Sequence, residues 1–372
     1  MTPRAISIDV IRIPTKGPGD VSGLIQLIEA GRINPASILA ILGKTEGNGG
    51  VNDFTREYAT SALSVALAPR LALPPHAVEE RIAFVMSGGT EGVLSPHITV
   101  FTREISNTDG LRRETGDKRL SIGIASTRNF LPEEIGRAVQ VYETAKAVRA
   151  AMADAGIEDP RDVHFVQIKC PLLTSDRIEE AHGRGQRTAT SSAYGSMGYS
   201  RGASALGIAA ALGEVKGEIN DEHILKKYDL FSSVASTSAG IELMHNVVIV
   251  MGNSSNATSS FVIGHAVMSD AIDYAAVVDA LQSVGLGPQC ASLTPDRLVN
   301  IFAKAEASPD GTVRGWRHTM LEDTDISATR HARAAVGGLI SGLAGTSAVY
   351  VSGGAEHQGP PGGGPVAVIA RI

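Results

Sequence analysis

Three serines, three lysines and three arginines recur in one order along this chain of 372 residues, and together they have the makings of an acyl-transfer site. Each serine opens the phrase Ser-x-Gly-x-Glu after an apolar run: Ser87-Gly88-Gly89-Thr90-Glu91, Ser238-Ala239-Gly240-Ile241-Glu242 and Ser352-Gly353-Gly354-Ala355-Glu356. A serine hydroxyl attacks a carbonyl only when a base takes its proton. Ahead of each serine a lysine closes another apolar run, at Lys44, Lys169 and Lys304. Burial or neighbouring cations lower an ammonium pKa and turn such a lysine into a base. Between lysine and serine an arginine opens a small-residue helical stretch, at Arg56, Arg201 and Arg330. Its planar fork suits the carbonyl or anionic oxygens of a flat substrate. Backbone N–H groups after the serines, at Gly88, Ala239 and Gly353, could stabilise an oxyanion or bind a substrate oxygen.

Taken singly, each residue has a plainer reading. A lysine at a strand end is ordinarily solvated, and an arginine in a first helical turn opposes the macrodipole. Recurrence in step is what gives the pattern weight. Glu91, Glu242 and Glu356 are expected to brace these loops or to orient an arginine or lysine, and His97 and His245 to pack.

The elements that must position these residues also recur. Each third reads as strand, helix, strand ending in lysine, helix carrying arginine, strand ending in serine, strand. The units fall at 1–104, 112–251 and 257–372, joined by polar stretches over 104–118 and 252–259. An insertion precedes Arg201, and a long helix is predicted over 132–155. The expected fold is α/β: three tandem homologous units around a pseudo-threefold axis, with a central β-barrel-like core and helices outside. Lysines, arginines and serines would then meet at the axis.

Composition narrows the partners. With 43% hydrophobic and 19% charged residues the chain is globular rather than disordered. A net charge of −6 without a basic block argues against nucleic acid. Cys170 and Cys290 fit a reducing compartment, and no apolar run approaches the roughly 20 residues of a membrane span. The chain enters a strand directly, without a signal-peptide core, so a cytoplasmic location is expected.

Three stretches carry a further resemblance: Ile41-Leu42-Gly43-Lys44-Thr45-Glu46-Gly47-Asn48-Gly49, Val85-Met86-Ser87-Gly88-Gly89-Thr90-Glu91-Gly92, and the tail from Ser352-Gly353-Gly354-Ala355-Glu356-His357-Gln358-Gly359-Pro360-Pro361 to Gly362-Gly363-Gly364-Pro365. With the threefold pattern, they resemble the cyanuric acid hydrolase/barbiturase family over essentially the whole chain. The resemblance implies an amidase that opens cyanuric acid, a planar cyclic amide, to carboxybiuret, which loses carbon dioxide to give biuret. It implies no catalytic cofactor, and a Ser–Lys dyad from each of three concatenated units.

The internal symmetry leaves Ser87, Ser238 and Ser352 equivalent. The resemblance makes Ser238 the nucleophile and Lys169 its base, with Lys44 and Lys304 in supporting dyads. Substrate binding then falls to Arg56, Ser87, Gly88, Arg201, Ser238, Ala239, Arg330, Ser352 and Gly353. It further implies a structural Mg²⁺ or Ca²⁺ near the C-terminal loop, at Glu306 and the backbone of Ala355, Gln358, Gly359, Pro360 and Gly363. A homotetramer is implied as well. Barbiturate ring opening and a non-enzymatic threefold ligand-binding protein are the alternatives.

Overall fold

The apolar runs of the sequence become three four-stranded sheets, each assembled in the same way. The computed structural model describes residues 4–107, 117–287 and 296–372. The first sheet holds β1 (Arg4–Pro14), β2 (Ile38–Thr45), β3 (Ala83–Gly88) and β4 (His97–Asn107), in the order β1-β4-β2-β3. The second holds β5 (Arg119–Ser126), β6 (Val163–Pro171), β7 (Ala235–Gly240) and β8 (Val247–Ser254), in the order β5-β8-β6-β7. After β9 (Phe261–Met268) and β10 (Leu298–Ala305) comes a small hairpin, β11 (Thr312–Val313) with β12 (Trp316–Arg317). The third sheet joins β9 and β10 to β13 (Tyr350–Gly353) and β14 (Gly364–Arg371), in the order β13-β10-β14-β9.

In every sheet the lysine strand runs parallel to the serine strand and antiparallel to the return strand. The antiparallel pairing slips register at corresponding places, between Ile38 and Ala40, Val163 and Phe165, and Leu298 and Asn300.

The lysine strands are buried on both faces, which is why they read as nearly continuous apolar runs. One face of all three sheets contributes to a common core, with Leu42, Phe101, Ile122, Phe165, Phe302 and Tyr350 in contact. The Phe302 ring lies 6.3 Å from Phe101, 5.2 Å from Phe165 and 5.6 Å from Tyr350, so it joins the three sheets. The opposite faces carry separate helical covers. Leu63 and Leu67 of α2 (Phe54–Leu71) pack on Ile41 and Met86. Val148 of α4 (Ala138–Asp154) and Ile208 of α6 (Ala193–Leu212) pack on Val166 and Val250. Val277 of α7 (Tyr274–Ser283) and Val336 of α8 (Ala328–Ala344) pack on Ile301 and Val368. Each such side chain contributes roughly 1.5–3 kcal/mol on burial.

Several elements differ from the sequence reading. None of the sheets closes into a barrel: among the described residues no ladder joins one sheet to the next, and side-chain packing is supplemented by the isolated bridges Ile6–Ala257 and Ser232–Gln358. The helix predicted over 132–155 is broken, because Gly136 takes φ +77° between a 3-10 turn at Pro132–Glu134 and the start of α4. Strand β4 runs on to Asn107, into the stretch read as a linker. Helices α1 (Ser22–Glu29), α3 (Pro75–Arg81) and α5 (Ser175–Gly183) complete the set among the described residues, and α5 with the first turns of α6 fills the insertion before Arg201. Cys290 and most of the 104–118 stretch lie outside the described residues. No helix among the described residues is long and apolar enough to cross a membrane.

Candidate active site

Parallel pairing sets Lys44 opposite Ser87, Lys169 opposite Ser238 and Lys304 opposite Ser352. Residues in register project to the same side of a sheet, so three strand pairs present three Lys/Ser couples in the same way. The lysines are only 1%, 3% and 0% exposed, where a lysine normally needs a partner. Lys44 Nζ donates to Ser87 Oγ at 3.1 Å. Lys304 Nζ donates to Ser352 Oγ at 3.2 Å and to the carbonyls of Thr237 and Gly353 at 3.0 and 3.2 Å. Lys169 departs from this pattern: its Nζ donates to Glu242 Oε1 at 2.9 Å. Ser238 Oγ instead lies 3.3 Å from Ser352 Oγ.

Burial disfavours the charged form of all three lysines. It pulls Lys44 well below the ordinary ammonium range, helped by Arg333, and draws Lys304 down to about 7, helped by Arg201. Lys169 is lowered too, by burial first, with Glu242 opposing and Arg56 assisting. These are conditions under which a lysine can serve as a base.

The three serines line one pocket with Gly88, Ala239 and Gly353 beside them, and with Arg56, Arg201 and Arg333 around them. Gly49 and Met197 complete the wall, and the pocket opens towards a cleft of about 540 Å³. Each arginine crosses to the serine loop of another sheet. Arg201 donates Nε and Nη2 to Glu356 at 2.8 and 2.5 Å. Arg333 does the same to Glu91 at 2.8 and 2.6 Å, and Arg56 donates Nη1 to the Ala239 carbonyl at 2.8 Å. Second reaches third, third reaches first, and first reaches second. The close approach explains two glycines: Gly89 at φ +111° and Gly354 at φ +77°, where an added Cβ would come within 2.6 Å of Arg333 and Arg201 respectively.

Two arginine expectations need correction. Arg330 stands at the cleft mouth with its side chain 42% exposed, whereas Arg333, one turn further and 4% exposed, enters the pocket. Both pair with Glu91, but the α8 face that meets the pocket belongs to Arg333. Arg201 lies well inside α6 rather than in its first turn, because the helix starts at Ala193. Arg56 does sit in the first turn of α2, behind the N-cap Asp53, which accepts Thr55 N–H at 3.0 Å. Sequence reasoning missed Arg333 and Met197; the i, i+3 spacing from Arg330 and i, i+4 spacing to Arg201 were the available signals. His97 is a packed histidine: Nδ1 lies 2.8 Å from the Ser95 carbonyl, and burial takes its pKa down to about 4.

At the C-terminal loop, Glu306 accepts the Ala355 N–H at 2.5 Å. Burial and the charge of Glu356 push Glu306 above the carboxylate range. The turn is curled by positive φ at His357, Gly359 and Gly362, and closed by Gln358 N–H to the Ala355 carbonyl and Gly363 N–H to the Pro360 carbonyl, both 2.9 Å. One buried carboxylate and a tight run of carbonyls form an all-oxygen donor set, which fits a hard cation. Among the described residues no three His, Cys, Asp or Glu side chains gather as a metal cluster.

Comparison with known proteins places this site in context. The profile of a family described as amidohydrolase ring-opening protein matches residues 9–371. The chain is 73% identical over 371 residues to the cyanuric acid amidohydrolase of Bradyrhizobium diazoefficiens, covering 99% of each. It is 61% identical over 365 residues to the cyanuric acid amidohydrolase of Pseudomonas sp. strain ADP, covering 98% of this chain and 99% of that one. A solved cyanuric acid hydrolase, described as an evolutionary innovation by structural concatenation, superimposes with a TM-score of 0.93 at 60% identity, over 99% of this chain and 100% of the other. The Azorhizobium caulinodans enzyme gives 0.89 at 50% identity, with the same coverage.

Proposed function

The chain belongs to the family of ring-opening amidohydrolases and is therefore a hydrolase; we propose that its substrate is cyanuric acid and that Ser238 opens the ring. The carrying observation is the pocket itself, where three serines and three arginines surround one space. Cyanuric acid alternates three carbonyls with three ring nitrogens, so a pocket of this kind can hold every carbonyl at once. On this reading the three sheets, alike in order and bulge position, derive from three concatenated units near 1–104, 112–251 and 257–372, arranged about a pseudo-threefold axis.

Lys169 takes the proton of Ser238, its register partner, as Oγ bonds to a ring carbonyl carbon. Arg56, Arg201 and Arg333 hold the carbonyl oxygens, with Ser87, Gly88, Ala239, Ser352 and Gly353 on the wall. The C–N bond breaks, the ring nitrogen receives the proton from Lys169, and water releases carboxybiuret from the serine. Carboxybiuret then loses carbon dioxide to leave biuret. Arg330 guards the entrance, while Lys44 and Lys304 support the other two dyads.

A Mg²⁺ or Ca²⁺ held by Glu306 and the carbonyls of Ala355, Gln358, Gly359, Pro360 and Gly363 would neutralise the buried acid and stiffen the loop. Chelation is expected to lower Tm. The protein acts as a cytoplasmic homotetramer on the same reading, which light scattering checks.

The test is depletion of cyanuric acid with detection of biuret, run beside barbituric acid. Ser238→Ala is expected to abolish turnover while cyanuric acid still binds. Substantial turnover by that variant would reject the nucleophile, and preference for barbituric acid would reject the substrate.

A further inference from the structure

The second Lys/Ser couple differs from its sisters in one contact. Among the described residues, Lys169 alone of the three dyad lysines has a carboxylate within salt-bridge distance, Glu242 at 2.9 Å. The corresponding glutamates serve arginines instead: Glu91 binds Arg330 and Arg333, and Glu356 binds Arg201. The arginine nearest the second loop, Arg56, is occupied by the Ala239 and Gly50 carbonyls at 2.8 and 2.7 Å, which leaves Glu242 to the lysine. Gly240 makes this possible, since an added Cβ there would lie 1.9 Å from Glu242 Oε2 and 2.7 Å from Lys169 Nζ. Carboxylate and ammonium both rest against bare backbone.

Resting on the assignment of Ser238 and Lys169, we propose that Glu242 is the positioning residue that makes the second dyad the reactive one, completing a Ser238–Lys169–Glu242 triad. When Ser238 Oγ bonds to the ring carbonyl carbon, its proton passes to Lys169 Nζ, and Glu242 stabilises the ammonium that forms. When the C–N bond breaks, that proton leaves for the ring nitrogen. A nucleophile, a base, and a third group that orients the base form a recurring arrangement for activating serine. Among the described residues Lys44 and Lys304 have no carboxylate within salt-bridge distance, so Glu91 and Glu356 act on them only from further off, without the direct contact that Glu242 makes.

Electrostatics agree with the contact. The groups facing Lys169 are Glu242 on the loop after β7, Arg56 on α2 and Cys170 on its own strand. Burial favours the neutral acid of Glu242, but Lys169 and Arg56 outweigh it and hold the group down at about 2. Glu242 is therefore charged at working pH and raises Lys169 against burial and Arg56.

Glu242→Gln keeps an oxygen for Lys169 but removes the charge. It is expected to lower kcat by about 100-fold or more, with KM within a few-fold. It should also shift the acid limb of kcat/KM to lower pH, because Lys169 then loses its proton more readily. Glu242→Asp, which retains charge on a shorter stem, should restore the limb and part of kcat. Glu91→Gln is the control: its partners are arginines, so it should change KM and leave the limb in place. A Glu242→Gln enzyme with an unmoved limb, or with kcat within about threefold of the parent, would overturn the inference. Ser238→Ala and Lys169→Met run alongside: if both are inactive while Glu242→Gln is normal, only Glu242 loses its role, whereas activity in Ser238→Ala removes the serine assignment itself.

Discussion

Lys44, Lys169 and Lys304 sit where a charge is disfavoured, and the contacts around them show how differently three like residues can be used. One faces a hydroxyl, one a hydroxyl and two carbonyls, and one a carboxylate. Their positions were legible in the sequence, because a polar residue ending an otherwise apolar β-strand stands out. The arginines were legible only in part. Arg330 and Arg333 share one helical neighbourhood, and only packing decides which of them faces inward. A direct consequence is that Arg333→Ala should raise KM by about 100-fold, through loss of a charge-assisted hydrogen-bonding group and release of Glu91. Arg330→Ala, at the exposed mouth, should change KM by no more than a few-fold. Steady-state kinetics on the two variants separates them, and equal effects would remove Arg333 from the pocket.

At the scale of elements, two glycines place helix and loop. Gly207 on α6 lies against α4, where an added Cβ would meet the Val141 carbonyl at 2.7 Å and Thr144 Cβ at 2.6 Å. Backbone cannot yield cheaply, so Gly207→Ala is expected to cost about 1–3 kcal/mol by overpacking, read as a lower denaturation midpoint. Gly240→Ala should behave in the opposite way. Its Cβ meets the ends of two flexible side chains, so the fold survives while Glu242 and Lys169 are displaced and turnover falls steeply. An unchanged kcat in Gly240→Ala would contradict the close approach. The strand–helix alternation was readable from apolar periodicity. The break before α4 was not, because Pro132 signals a helix start and Gly136 alone resets it.

Across the whole molecule, a common core and three helical covers fix where the sheets stand, and one seam carries a titratable pair. His164 on β6 and His265 on β9 face each other across the second and third sheets, with Nδ1 atoms 2.9 Å apart. Burial, and then the neighbouring ring, lowers His164 from 6.5 to about 4. The unfolded chain therefore binds more protons than the folded one through that window. Its contribution to stability is complete above pH 6.5 and is lost as pH falls towards 4. His164→Asn should flatten the fall of Tm over that range, and an unchanged slope would show that the seam does not titrate. Three motifs in step were visible in the sequence, and three four-stranded sheets carry them, yet a closed barrel was not the outcome. Apolar side chains can join three sheets without a continuous ladder, and strand pattern alone does not tell the two apart.

Ser238 can be tested as the nucleophile by stopping the reaction on cyanuric acid with acid in the first turnovers, digesting the protein, and locating the acyl adduct by mass spectrometry. The added mass is expected on the peptide carrying Ser238, and none in Ser238→Ala. An adduct on Ser87 or Ser352, or turnover with no adduct on any serine, would contradict it.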